Sequence, residues 1–548
     1  MPPSSNTNPM MLALRRSAGH RFAMPSPNVI LARIANHPRL ASLGLGLAAA
    51  TGFQPLGLWP VALLAVGVFA ALVTRARSRS EVALLGWLFG VAHFTFANNW
   101  IATAFTFQAN MPPALGWVAV PLLSLYLAVY PALAALLAWS LAGRQGGWPF
   151  ALAFAGFWVI TEWLRGWVFT GFAWDPFGVV LLGTYGRPGL ALLAPWLGTY
   201  ALSGVAVLLG TGLVLLFAAR RFVALAVLAA LTLAGMFAAP LRSAGEGTLR
   251  YTLVQPNIDQ YVLNEPAYFD RKFRKIATLT LPDDPDVERL VLWPESGMTE
   301  YLEDGYPQRF YDWYNVLADP ALTRRRIARV IGPSSLLLTG TTDLEIEGGR
   351  AVGARNSVTA VDGGGRIRGS YDKAHLVPYG EYLALRWLLE PLGATRLVPG
   401  AIDFWPGPGP RTLDLGPWGE AGIQVCYEIV FSGEVVDPQN RPDYIFNPSN
   451  DGWFGSFGPP QHLAQARLRA IEEGLPVLRA TTTGISAVID ARGVVRDYAP
   501  MHQAERLDGF VPPPLPPTLF ARLGNWLPLG WAVVLITFAF FLRRRAKP

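Results

Sequence analysis

The chain has 548 residues, 52% hydrophobic and only 15% charged, with a formal net charge of +7 and a single cysteine. That length exceeds one ordinary domain, and the charged share is well below the roughly one quarter typical of soluble proteins. One cysteine excludes an internal disulfide. The positive balance calls for no nucleic acid, because much of it gathers beside apolar stretches, where basic residues set membrane orientation.

Charges are sparse from 40 to 240, ordinary from 245 to about 507, and sparse again in a last apolar run before a basic tail. This predicts a polytopic α-helical membrane bundle carrying one large aqueous α/β domain. Residues 1–38 are polar and rich in Pro and Ser, with Arg15, Arg16, Arg21 and Arg33 and no acid, and read as a disordered cytoplasmic lead. Apolar stretches follow at about 40–53, 58–74, 82–107, 114–142, 148–168, 190–218 and 222–240, with the last at about 526–542. They amount to about eight transmembrane helices, against the ~20 residues a bilayer requires, the first two being short. Arg75, Arg77 and Arg79 follow the second span, Arg144 the fourth, Arg220 and Arg221 the sixth, and Arg543, Arg544, Arg545 and Lys547 the last. Basic residues in every even gap put both termini in the cytoplasm and the aqueous domain on the opposite, periplasmic side. The expected organisation is a lead over 1–38, seven helices over 39–244, the aqueous domain over 245–512, and an eighth helix with its tail over 513–548.

One apolar stretch carries charge: Thr161-Glu-Trp-Leu-Arg-Gly-Trp167, followed by Trp174-Asp-Pro176. Glu162 and Arg165, three apart, share a helix face and can pair. Two readings stand, a structural pair at the outer membrane boundary or a contact to lipid or substrate; Trp174 belongs to the second.

The aqueous half alternates strands and helices. Strands are expected at 249–258, 289–295, 335–342, 443–447, 477–482 and 485–489, helices at 268–281 and 460–473, and a hairpin over 355–371 about Asp362-Gly-Gly-Gly365. The pattern is that of a layered α/β domain. Cys426 follows the run Ile423-Gln-Val425 and precedes Tyr427-Glu-Ile429, an order read as strand, turn and helix start. A helix N-terminus there would favour the thiolate, whereas most free cysteines are small buried hydrophobes. Glu295 closes Leu290-Val-Leu-Trp-Pro-Glu295, and Lys373 follows Gly369-Ser-Tyr-Asp372. Each alone reads equally as an exposed charge; together they are a base, a cation and a nucleophile, the equipment of acyl transfer through a thioester. Two runs, 382–389 and 452–457 with Trp453, read either as an apolar lid or as core. A Cys–His pairing with His375 or His462 lacks an identifiable orienting residue, and no zinc-ligand spacing is present.

Three segments carry a resemblance. Trp293-Pro-Glu-Ser296, Tyr371-Asp-Lys-Ala-His-Leu-Val-Pro-Tyr-Gly-Glu-Tyr382 and Ile423-Gln-Val-Cys-Tyr-Glu428 resemble, in order and spacing, the Glu–Lys–Cys signature of the nitrilase (carbon–nitrogen hydrolase) superfamily. With the spans, Glu162-Trp-Leu-Arg-Gly-Trp167 and Asn450-Asp-Gly-Trp-Phe-Gly455, the chain from about residue 40 onward resembles the bacterial apolipoprotein N-acyltransferases. The resemblance implies an αββα sandwich on a bundle of eight helices in the inner membrane, with the sandwich in the periplasm. It implies Glu295 as general base, Lys373 as oxyanion stabiliser and Cys426 as acyl-carrying nucleophile, with Glu381, Tyr427 and Glu428 in support. It also implies a phospholipid donor, a diacylated apolipoprotein acceptor, no cofactor and no nucleic-acid partner, in a chain expected to be a monomer. A membrane-tethered amidase acting on a small amide is the alternative, and a transporter with a solute-binding domain a third reading. The chain departs from the family pattern after Gln255-Pro-Asn-Ile258, where Tyr261 and Asn264 stand in place of a tryptophan, at Pro448, and at Asp175-Pro176.

Overall fold

The computed structural model describes residues 36–107, 112–143, 146–237, 245–284, 286–392 and 402–545; the expected disordered lead lies, up to residue 35, outside them. Among the described residues, twelve strands form two sheets. In the first, β1 (Arg250–Gln255), β2 (Leu290–Leu292) and β3 (Leu336–Glu347) run parallel; β12 (Glu505–Phe510) pairs antiparallel with β1, β4 (Arg350–Asp362) antiparallel with β3, and β5 (Ile367–Asp372) antiparallel with β4. In the second, β7 (Glu420–Ile423), β8 (Tyr444–Ser449) and β9 (Val477–Thr481) are parallel, flanked by β6 (Thr412–Asp414), β10 (Ser486–Ile489) and β11 (Val495–Ala499). The expected hairpin is β4–β5, its turn closed by Asp362 Oδ1, which accepts from the amides of Gly364 and Arg366 at 2.9 Å.

Period-two alternation divides each strand of the first sheet between two cores. Leu253, Leu290, Leu292, Leu336 and Leu338 join Ile423, Phe446 and Leu478 in the core shared by the sheets. Val254, Val291, Trp293 and Leu337 face outward onto Phe273 and Ile276 of helix Phe269–Thr280 and Ile327 and Ile331 of helix Pro320–Ile331. On the second sheet Leu463, Ala466 and Ala470 of helix Gly458–Glu473 supply the outer layer. The order is helix, sheet, sheet, helix.

The expected apolar stretches are helical: Pro38–Ala50, Trp59–Thr74, Arg79–Ala97, the adjoining Leu115–Leu127 and Val129–Ala142, Gly147–Arg165, Ala194–Ala218, Phe222–Phe237 and Trp526–Arg545. Among the described residues, however, four runs are long and apolar enough to cross a membrane: Arg79–Ala97, Leu115–Ala142, Leu190–Ala218 and Trp526–Arg545. Trp59–Thr74 and Phe222–Phe237 are apolar but shorter. Pro38–Ala50 has 13 residues, and at 1.5 Å per residue reaches only about 20 Å. Close helix contact rests on small residues: a side chain at Gly67 would overlap the Gly210 carbonyl, and one at Gly86 would meet the Ala132 backbone.

Candidate active site at the strand ends

Each of the three predicted residues follows a strand. Glu295 lies three residues past β2, and its backbone presses so close to β3 that only glycine fits at 340. Lys373 follows β5, its amide donating to the Asn356 carbonyl at 2.9 Å. Cys426 follows β7 in the opposite sheet, with a left-handed φ of 52°. A non-glycine residue there is strained by about 1–3 kcal/mol, and such strain gathers at functional sites.

The lysine is buried between two carboxylates, Nζ lying 2.9 Å from Glu381 Oε2 and 3.6 Å from Glu295 Oε1. Asn356 Nδ2 donates to both glutamates at 2.8 Å, and the Asn450 amide donates to Glu295 Oε2 at 2.7 Å. Burial pulls the lysine pKa down, but Glu381 and Glu295 outweigh it, and Lys373 stays a cation well past neutrality. At Cys426 burial and the charge of Glu295 push the thiol up, against the pull of Lys373. This corrects the expectation of a dipole-stabilised thiolate: residues Cys426–Val430 form one five-residue 3₁₀ turn rather than a helix start. The resting sulfur is a thiol, and its ionisation has to be coupled to a base.

Glu428 joins the two sheets. Its Oε1 accepts from the Tyr371 hydroxyl (2.8 Å) and the amides of Ala374 (2.8 Å) and His375 (3.2 Å), and its Oε2 accepts from the Val425 amide (2.7 Å). The lysine loop and the cysteine turn thereby share one carboxyl, which burial pushes up to about 7 despite those donors. The Tyr427 ring stacks on Trp174 of the helical half at 6.4 Å.

The helical-half residues are buried against protein. Arg165 donates to the carbonyls of Phe172 (2.9 Å), Trp174 (2.6 Å) and Asp175 (3.2 Å) and sits 3.9 Å from Glu162. Glu162 Oε1 accepts from the Phe177 amide at 2.8 Å. The pair shapes the 171–177 loop, with both side chains sealed in the interior. Trp174, fully buried, packs under Tyr427 and donates from Nε1 to Gln461 at 2.8 Å. Trp453 is half-buried, 5.5 Å from Phe107 of the helical half. Of the run 382–389, Leu383 and Ala384 are core while Leu385, Trp387 and Leu388 are exposed.

Sequence reasoning missed Asn356, Asn450 and the group behind the cysteine. His462 approaches Cys426 at its carbonyl (Nε2 to O, 3.0 Å) and carries Asp451 at its other nitrogen. It supports the backbone of the turn rather than serving as base to the sulfur, as a protease pairing would require. His375 stacks on Phe431 at 3.9 Å.

A thiol, a carboxylate and an ammonium at strand ends of two facing sheets belong to the class of carbon–nitrogen hydrolases, and the carbon-nitrogen hydrolase family model matches residues 287–503. The model of the apolipoprotein N-acyltransferase N-terminal domain matches residues 45–212. An apolipoprotein N-acyltransferase of Rhodopseudomonas palustris is 33% identical over 94% of this chain and 98% of its own, and one of Methylococcus capsulatus 32% over 92% and 96%. A CN-hydrolase superfamily protein from Xanthomonas campestris aligns at 19% identity over 48% of this chain and 90% of its own, with a TM-score of 0.32. The chain belongs to the apolipoprotein N-acyltransferase family.

Proposed function

We propose that this protein takes a fatty acyl chain from a phospholipid onto Cys426 and passes it to the N-terminal amine of a diacylated apolipoprotein, completing lipoprotein maturation. Glu295 removes the thiol proton as the sulfur attacks the ester carbonyl. Lys373 and the Tyr427 amide stabilise the oxyanion, a donor of this kind being worth about 10²–10³ in rate. The lyso-phospholipid leaves with the proton from Glu295; the amine attacks the thioester with Glu295 again as base, and an amide results. Glu381 and Glu428 fix Lys373 and the cysteine turn, and Tyr427 rests on Trp174. In this reading eight helices hold the catalytic half on the periplasmic side of the inner membrane, with the shorter ones embedded among the longer. Trp453 and the exposed 385–388 run meet the lipid substrates.

The observation that carries the reading is the convergence of Glu295, Lys373 and Cys426 on a turn packed directly against the helical half. Intact-mass measurement of the purified protein with phospholipid tests it. One hydroxylamine-labile acyl adduct, absent in Cys426→Ala, is the expected result. Labelling by a small amide but not by phospholipid overturns it in favour of an amidase.

A further inference from the structure

Asn356 lies on β4, opposite Thr342 of β3, and meets the site twice. Its carbonyl receives the Lys373 amide at 2.9 Å, and its Nδ2 donates to Glu295 Oε1 and Glu381 Oε1, both at 2.8 Å. Two carboxylates on one carboxamide settle its orientation: the nitrogen faces them, with one N–H for each. Lys373 Nζ meets the same two glutamates, 2.9 Å from Glu381 Oε2 and 3.6 Å from Glu295 Oε1. Backbone amides hold the other oxygens, Val377 donating to Glu381 Oε2 at 2.8 Å and Asn450 to Glu295 Oε2 at 2.7 Å. Against burial, Glu381 does more than Glu295 to keep Lys373 charged. The Cys426 thiol, raised first by burial, is raised next by Glu295. One glutamate thus serves the lysine and the other faces the sulfur, and Asn356 joins them.

We propose that Asn356 is a positioning residue for this reaction: by giving one N–H to each glutamate it keeps both as carboxylates at rest and directs the Cys426 proton to Glu295 Oε2. Two carboxylates side by side favour holding one proton between them, and a base that already carries a proton cannot take another from a thiol. The Asn356 nitrogen occupies the place of that shared proton. It donates and cannot accept, so neither Oε1 can carry a proton toward it. The thiol proton passes to Glu295 Oε2 as the sulfur–carbon bond forms, and then to the lyso-phospholipid oxygen as the carbon–oxygen bond breaks. Lys373, Glu381 and Cys426 are the titratable groups around Glu295. Asp451, held by Arg479, and Glu428, held by four donors, lie about the cysteine turn, and His375 stands beyond Lys373, 3.6 Å from Glu434. Among the described residues none of these outer three is bonded to Asn356.

The inference rests on Cys426 as nucleophile and Glu295 as base. The rate of acyl-adduct formation with phosphatidylethanolamine, followed by intact mass on the full-length protein in detergent across pH, tests it. Asn356→Leu removes both donors at similar volume. A carboxylate stripped of a donor holds its proton to higher pH. The acid limb of the rate profile is therefore expected to move up by about one to two pH units, the worth of one hydrogen bond to a charged group. On that limb acylation is expected to fall about 10–100-fold and to recover as pH rises. Asn356→Asp keeps the shape but brings a third carboxyl with at most one proton to donate. It is expected to move the limb the same way, and it carries the test if Asn356→Leu does not fold. A rate unchanged at every pH, or one lowered equally at every pH with the acid limb in its wild-type place, overturns the proposal and leaves Cys426 standing. A wild-type chain that takes no acyl adduct overturns the Cys426 reading and this one with it.

Discussion

Two buried cations, Arg165 in the helical half and Lys373 in the sheet half, face similar desolvation but differ in their partners. Arg165 is bound to three carbonyls of one loop, with Glu162 at 3.9 Å. A planar guanidinium fork committed to backbone fixes the path of a chain. Lys373 touches side chains instead, Glu381 at 2.9 Å and Glu295 at 3.6 Å, and the Glu295 side chain keeps 10% of its surface exposed. A compact ammonium can lean from one oxygen to another, so it can follow charge as charge moves. A buried ion does chemistry when its partner is a group that itself reacts, and does architecture when its partners are peptide bonds.

Substitutions can break or sharpen that contrast. Cys426→Ser is expected to lower transfer by about 10⁴-fold or more, measured as amide product per enzyme. Glu295→Gln is expected to cost about 10²–10⁴ in turnover while moving the Cys426 thiol the other way. Its charge is one of the causes that raise the thiol, so removing it lets alkylation begin at lower pH; a thiol profile left unmoved breaks the coupling. Lys373→Met is expected to slow acylation about 10²–10³-fold and to push the thiol further up. It also leaves Glu381 and Glu295 facing each other, at a cost of about 3–5 kcal/mol in stability, read as a lower thermal midpoint. Arg165→Met is expected to destabilise comparably but to slow acylation only about tenfold, since it misplaces Trp174 and Tyr427 without touching a reacting atom. An effect equal to that of Lys373→Met would erase the contrast. The smallest change is expected from Trp453→Ala, a several-fold rise in KM with kcat within about twofold, the mark of uniform binding.

The strand ends were legible because apolar runs stop at polar residues, and period-two alternation located the sheets. That Glu295 and Cys426 follow strands could be read because each ends an apolar run, and Lys373 because it follows the Gly369-Ser-Tyr-Asp372 strand. The groups that orient them could not. Asn450 reaches Glu295 across 155 positions, and nothing local in the chain marks an amide or a carboxamide that will meet a carboxylate so distant. Arg469 and Arg479 resemble surface charges in composition, yet both are fully buried; Glu472 lies one helical turn from Arg469, whereas only the fold supplies Asp451 as the partner of Arg479. Burial likewise reversed the expected ionisation of Cys426. A short turn supplies little dipole, and a carboxylate able to take the proton during attack also pushes the resting thiol up by its charge. In the helical half, hydropathy located the helices but not how far each extends.

Helix Gly458–Glu473, buried at every residue but Pro460, serves two masters. Gln461 receives Trp174 and donates to the Ala97 carbonyl, Arg467 donates to the carbonyls of Gly183, Thr184 and Arg187, and Arg469 and Glu472 both bond Thr199. Severing the catalytic half from its helices would strip partners from two arginines and a glutamate that have no route to water in the intact chain. Such a fragment should aggregate rather than work as a free hydrolase, and the whole chain should melt in one transition, anchor and enzyme together.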